Sequence, residues 1–221
     1  MDSGNPLRER LIDAGVELVM TEGSASLGLR EIARRAGVSH GAPRRHFPTH
    51  HSLLSAIARR GFADLAHRFA AAADPADSPR ARLRALADAY LGYAWEHHGM
   101  FELMFRHDLL DSESQEPSGG ARGPERPRLR ESTLPLFAHL VELVTQDREE
   151  NAQRRTGPSH EAAPPPAVTA AALWTNLHGI AELRARRSLQ LALGASSSDG
   201  GDPLEPLVAA VLDAHLGRVN S

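Results

Sequence analysis

Apolar residues recur along this chain at three- and four-residue intervals, the period of an α-helix, and nowhere with the two-residue alternation of a half-buried strand. Leu7, Leu11, Ala14 and Leu18 form the first stripe, behind Asn5-Pro6, a cap residue followed by a proline suited to a first helical turn. Gly23 stops that helix. A second short helix is expected over about 28–36, burying Leu29, Ile32, Ala33 and Ala36, with Gly37 closing it. Ser39 is placed to cap a third helix over 40–47, and Thr49 to cap a fourth that runs through Leu53, Leu54, Ile57, Phe62, Leu65 and Phe69.

The run Asp74-Pro75-Ala76-Asp77-Ser78-Pro79 interrupts the pattern. Beyond it, Leu83, Leu86, Tyr90, Ala94 and His97 predict an amphipathic helix, Gly99 a break, and Met100, Phe101, Leu103, Met104 and Phe105 a short apolar helix. Residues 112–127 read as a mobile loop. A helix over 129–146 presents Leu136, Phe137, Leu140, Val141 and Val144, and 150–166 reads as a polar linker. A long helix is expected over 166–193, then a Ser/Gly loop at 195–201. A last helix over 203–216 carries the stripe Leu204, Leu207, Val208, Val211, Leu212 and His215. No internal repeat is visible. The fold class read from this pattern is all-α, with about nine helices.

Composition narrows the functional classes. Hydrophobic residues at 41% and charged residues at 24% are ordinary for a chain that buries a core. The absence of cysteine excludes a disulfide scaffold, a thiolate metal site and a cysteine nucleophile. No 18-residue apolar run occurs, and the opening MDSGNPLRER lacks a signal-peptide core, so a cytoplasmic protein without a membrane partner is expected. The net charge is −3, yet residues 26–62 hold seven arginines (Arg30, Arg34, Arg35, Arg44, Arg45, Arg59, Arg60) against Glu31 alone. That is a local +6, which leaves −9 for the remainder. Such asymmetry points to a segment that meets a polyanion; a solvated, charged helix face is the other reading of the same charges.

Residues 29–48 meet the packing requirements of a helix-turn-helix. Ala33 is small where two helices cross, Gly37 supplies the positive φ of the turn, and Val38 fills the space between the helices. Ser39 would start the second helix, whose first residues point at base edges. The stretch LREIARRAGVSHGAPRRHF, with LIDAGVELVMTEG before it and LLSAIARRGFADL after it, resembles the N-terminal domain of tetracycline-repressor-like (TetR-like) regulators over roughly residues 7–65. The resemblance implies a three-helix DNA-binding domain over 1–65 and a helical-bundle domain over 66–221 that dimerises and binds a small-molecule inducer. It implies a repressor that holds a pseudopalindromic, double-stranded operator as a homodimer and is released by that ligand.

Carried over by position, the resemblance places Arg30 near phosphates and Ser39, His40, Gly41 and Ala42 at the reading end of the third helix. Arg45 and His46 lie further along it, and Thr49, with the start of the fourth helix, meets the DNA backbone. Three positions depart from the family pattern: Arg44 stands where a tyrosine is usual, His50 where a lysine is, and Gly28 where a hydroxyl residue is common. Arg44 can hold a phosphate or read guanine. A neutral imidazole at His50 neutralises no phosphate, so tighter binding on the acid side of neutrality is expected. These departures motivate the alternative, a helical interaction protein with degenerate DNA binding.

Further on, AALWTNLHGIAEL resembles the Trp…His-Gly motif of one group of C-terminal domains in the family, and EHHGMFELMF resembles the short helix that closes the regulatory pocket in many members. The expected pocket takes Tyr90, Ala94, Phe101, Met104, Phe105, Phe137, Val141, Trp174, Leu177, His178 and Ala181: apolar walls with few polar groups. The same aromatics also suit a plain core. His97 and His178 each fit either a ligand contact or a core histidine bonded to a backbone carbonyl, the core reading being the better one for His97 and the ligand contact for His178. Gly179 in mid-helix costs ~1 kcal/mol against alanine and points to close packing or room for a ligand. Ala172, Ile180, Leu183, Leu204, Leu207, Val208, Val211 and Leu212 form the expected dimer face, with the intrachain core as the other assignment of these stripes. No His-Glu-x-x-His pair, phosphate loop or nucleophile elbow occurs, so neither an enzyme nor a metal or other cofactor is expected.

Overall fold

The computed structural model describes residues 6–74, 77–106, 129–154, 163–189 and 204–218, and every regular element among them is helical. Nine α-helices follow in order among these residues: α1 (Pro6–Glu22), α2 (Leu29–Arg35), α3 (Ala42–His46), α4 (His50–Ala72), α5 (Pro79–Glu96), α6 (His98–Met104), α7 (Leu134–Arg154), α8 (Pro166–Ala185) and α9 (Leu204–Leu216). Short 3-10 turns occupy Ser24–Ser26 and Leu129–Ser132. The loops expected at 112–127 and 195–201 lie outside the described residues. The chain divides into two compact units, 1–64 with 97–134, and 65–96 with 135–221.

In the first unit α1 is the hub. Its stripe buries Leu11, Leu18 and Val19 against α2, α3 and α6, as its helical spacing requires. Helix α6, expected from the sequence with the C-terminal domain, packs here. A methyl group on Gly99 would come within 2.7 Å of the Val19 carbonyl oxygen and 2.9 Å of the Gly23 Cα, so only glycine admits this approach of α6 to the end of α1. Gly99 therefore does not break a helix, as expected, but lies inside one; the break is at His97, with φ −122°. Phe101 and Met104, expected on a pocket wall, are fully buried core. Phe105 packs edge-on to Phe62 with ring centroids 5.5 Å apart.

The second unit packs α5, α8 and α9 on one another. Its core includes Leu83, Tyr90, Ala94, Leu173, Leu177, Val208 and Leu212. Asp147 of α7 is buried; Arg80 of α5 bonds both its oxygens, at 3.1 and 3.3 Å, and reaches the Gly217 carbonyl at 3.0 Å. Such a pair is tolerated because its hydrogen-bonding capacity is met within the cluster. Helix α7 starts at Leu134 rather than 129, because Pro135 fits only a first turn, and it extends to Arg154, into the expected linker. Glu150–Arg154 and Asp147–Asn151 bonds at helical spacing support that extension. Helix α8 ends at Ala185, short of 193, where Arg187 takes a left-handed conformation with φ 58°.

Candidate nucleic-acid interface

After α2 the chain reverses at Gly37, whose φ of 66° is the positive value that the turn required. The Val38 N–H donates to the Ala33 carbonyl at 3.0 Å and the Gly37 N–H to the Arg34 carbonyl at 3.1 Å. Arg10 of α1 adds a donor to the Ala36 carbonyl at 2.6 Å, satisfying an end-of-helix oxygen. Ala33 is fully buried, as expected at the crossing of the two helices. Leu29 is only half-buried; the neighbouring Leu27 takes the core position.

The third helix starts later than expected. Its cap position is Gly41, and no side chain caps it; Ser39 instead accepts the Ala42 N–H through its backbone carbonyl, at 2.9 Å. Pro43 sits in the first turn, where its missing N–H costs nothing. A helix of five residues has little rigidity of its own, so neighbouring anchors set its direction. Pro43 and Phe47 are buried, and the Arg8 guanidinium lies over the Phe47 ring, 5.2 Å from its centroid.

With those two residues turned inward, Arg44 and Arg45 are exposed, as are Ser39, His40 and Gly41, while Ala42 and His46 are half-buried. Arg30 is exposed on α2. The positive charges here are of two kinds. Arg34 is held by both oxygens of Glu31, whose carboxyl is kept below its ordinary range by that hydrogen bond. Arg35 pairs with Glu22 at 2.6 Å, and Arg60 with Glu9 at 2.9 Å and Asp13 at 3.4 Å. Arg30, Arg44 and Arg45 make no hydrogen bond or ion pair with any of the described residues.

Helix α4 begins with a reciprocal cap: Thr49 Oγ1 accepts the Ser52 N–H at 3.0 Å, and Ser52 Oγ lies 3.3 Å from the Thr49 nitrogen. Next to it the His50 ring is turned inward. Its Nε2 lies 2.7 Å from the Leu27 carbonyl oxygen, so Nε2 carries the proton and donates.

Of the remaining expected pocket residues, Tyr90, Ala94, Leu177 and Ala181 are buried in the second unit, and Phe137, Val141 and His178 are half-buried. Trp174 is 40% exposed. Tyr90 Oη and His178 Nδ1 share a hydrogen bond of 2.9 Å, and the hydroxyl oxygen also accepts from the Trp174 indole. Burial pushes the Tyr90 hydroxyl far above the phenol range. It also lowers the proton affinity of His178, against the opposing pull of the Glu182 carboxylate. A separate cleft of about 300 Å³ is lined by Arg80, Arg84, Asp147, Glu150, Arg154 and Asp213, charges that already pair with one another or with neighbours.

Ile180, Leu204, Val208 and Leu212, expected on a dimer face, are buried within the chain itself, because α5, α8 and α9 close on that side of the stripe. Ala172, Leu207 and Val211 are half-buried and Leu183 is 46% exposed. Val168, Ala172, Thr175, Gly179 and Leu183 recur along one outward face of α8, a stripe of mostly small residues that a pattern of long apolar side chains does not reveal. Among the described residues, no group of histidines and carboxylates is placed to hold a metal ion, and no helix is long and apolar enough to cross a membrane.

Two family models match the chain. Residues 11–57 match that of bacterial regulatory proteins of the tetR family, and residues 83–213 that of the tetracyclin repressor-like C-terminal domain. No curated protein gives a significant match. Among solved structures, a protein of unknown function from Rhodococcus sp. RHA1 is 29% identical, with TM-score 0.66 over 97% of this chain and 96% of that one. A TetR-like transcriptional regulator from the same organism is 17% identical, with TM-score 0.59 over 96% and 97% of the two chains. The fatty acid degradation regulator FadR from Bacillus halodurans is 15% identical, with TM-score 0.60 over 96% and 95%. At these lower identities the likeness concerns the fold.

Proposed function

This chain belongs to the TetR family of bacterial transcriptional regulators, which are not enzymes, and from that membership we propose that it is a ligand-released repressor of a pseudopalindromic operator. The observation that carries the DNA-binding reading is the partition of charge on the helix-turn-helix. Arg34, Arg35 and Arg60 are neutralised by carboxylates, whereas Arg30, Arg44 and Arg45 face outward and uncommitted on the elements that would meet DNA. Phosphates take Arg30. Base edges take Arg44 and Arg45, with Ser39, His40, Gly41 and Ala42 close to the groove floor and His46 and Thr49 at its rim.

The repressor acts as a homodimer through the outward faces of α8 and α9, where Ala172, Leu183, Leu207 and Val211 keep exposed area. A two-fold pair of readers then requires half-sites about one helical turn apart, ~34–36 Å. Ligand binding belongs to the second unit, beside Tyr90, Trp174 and His178, where hydrogen-bonding atoms lie next to the buried side chains of Ala94, Leu177 and Ala181. The ligand releases DNA by favouring a state whose readers no longer match the half-sites.

The test is selection of genomic duplexes by the purified protein, followed by binding titrations at several salt concentrations. A shared pseudopalindrome should emerge, bound with an affinity that falls steeply as salt rises. Arg44→Ala or Arg45→Ala should weaken that binding roughly tenfold or more. Selection of no common sequence, with no salt-sensitive binding, would leave a helical interaction protein as the better description.

A further inference from the structure

We infer that His50 is a positioning residue for the reading helix and makes no phosphate contact of its own, so that the phosphate load falls on the arginines. The inference rests on the DNA-binding reading above and on the direction of one side chain. His50 is the first residue of α4, two positions beyond Pro48 in the link from α3. Its Nε2–H is spent on the Leu27 carbonyl at 2.7 Å, and its ring is half-buried. Leu27 is itself buried, at 3% exposure, and directly precedes Gly28, the cap residue of α2. One hydrogen bond therefore joins the front of α2 to the front of α4, on either side of the helix that reads DNA.

That join matters because α3 has only five residues. Its N-terminal side is held by the Gly37 turn and the Arg10 bond to Ala36. Its C-terminal side is held by Phe47 in the core and, one turn on, by the Leu27–His50 bond. Without the bond the start of α4 is free to shift, and with it the angle at which Arg44 and Arg45 are presented. The charge pattern agrees. A cation at the start of α4 would add a phosphate contact, but His50 is directed at a carbonyl oxygen, which attracts a donor and offers nothing to an anion.

The experiment uses the full-length protein and the duplex selected above, with His50→Ala, His50→Gln and Arg30→Ala. A residue that neutralises a phosphate shows itself in the slope of log Kd against log salt, which falls by about 0.9 for each contact removed and so by about 1.8 for a homodimer on two half-sites. A positioning bond instead changes affinity equally at every salt concentration. His50→Ala should weaken binding roughly fivefold with an unchanged slope. His50→Gln, whose amide N–H can reach the same carbonyl, should restore most of it. Arg30→Ala should flatten the slope. A flatter slope in His50→Ala, or affinity equal to that of the parent, overturns the inference.

Imidazole 15N spectra of the DNA-free protein separate this result from the DNA reading. His50 should appear as the Nε2–H tautomer with a slowly exchanging proton. An Nδ1–H tautomer, or a freely exchanging ring, overturns the inference whatever the duplex does. Retention of that proton in a protein that selects no duplex overturns the DNA reading instead.

Discussion

At the scale of single residues, the best-defined chemistry in the second unit is the hydrogen bond between the Tyr90 hydroxyl and His178 Nδ1. Burial disfavours the charged form of His178, against the weaker opposing pull of Glu182. Because the folded state holds a proton on His178 less readily than the unfolded chain does, unfolding takes up protons as the pH falls through the histidine range. The contribution is present above that range and is lost on acidification. Urea unfolding should therefore show a fall in stability between about pH 7.5 and pH 5.5 that is smaller in His178→Gln than in the parent. An identical fall in both proteins would assign the acid sensitivity to other groups. Tyr90→Phe should cost about 2 kcal/mol at neutral pH, the net worth of the two hydrogen bonds its hydroxyl makes.

At the scale of elements, short helices take their places from close approaches. Helix α6 lies against the end of α1 because Gly99 has no side chain, and Ser24 is joined to Glu102 across the same interface. The atoms that a methyl on Gly99 would meet are backbone, the Val19 oxygen and the Gly23 Cα, which cannot rotate away. Gly99→Ala should cost roughly 1–3 kcal/mol in urea unfolding. Gly61→Ala should cost less, since it faces the flexible ends of Met100 and Met104. Equal costs at the two sites would show that α6 shifts as a body. From sequence alone Gly99 reads as a helix breaker because a lone glycine after an apolar stripe usually is one. The backbone it meets comes from the end of α1, far earlier in the chain, and no local pattern carries that information.

At the scale of the molecule, the proposed dimer rests on the outward faces of α8 and α9. Gly179 belongs to that α8 face: a methyl placed there would meet nothing within 4 Å, so no approach among the described residues explains the glycine. A partner helix approaching closely would explain it. Leu183→Glu should convert the dimer to a monomer in sedimentation velocity and weaken operator binding at least tenfold, because one reader alone forfeits the second half-site. A dimer that survives this change would place the interface elsewhere.

The sequence by itself determined the all-helical class, the helix-turn-helix with its Gly37 turn, the Thr49 cap and the basic segment. All of these depend on residues within one or two turns of each other, where period, cap chemistry and φ preference act directly. The tertiary structure decided which members of each pattern do what. Arg30, Arg34, Arg44 and Arg45 look alike in a sequence; position relative to Glu31 and to the buried Pro43 and Phe47 separates the neutralised cation from the outward three. Ile180 and Leu183 read as one stripe until three helices close over the first and leave the second exposed. His50 stands where a backbone contact was expected, and only the carbonyl of Leu27 shows that its ring faces inward. A hydrogen bond or a buried face belongs to a pair of segments, and one segment's pattern holds only half of that pair.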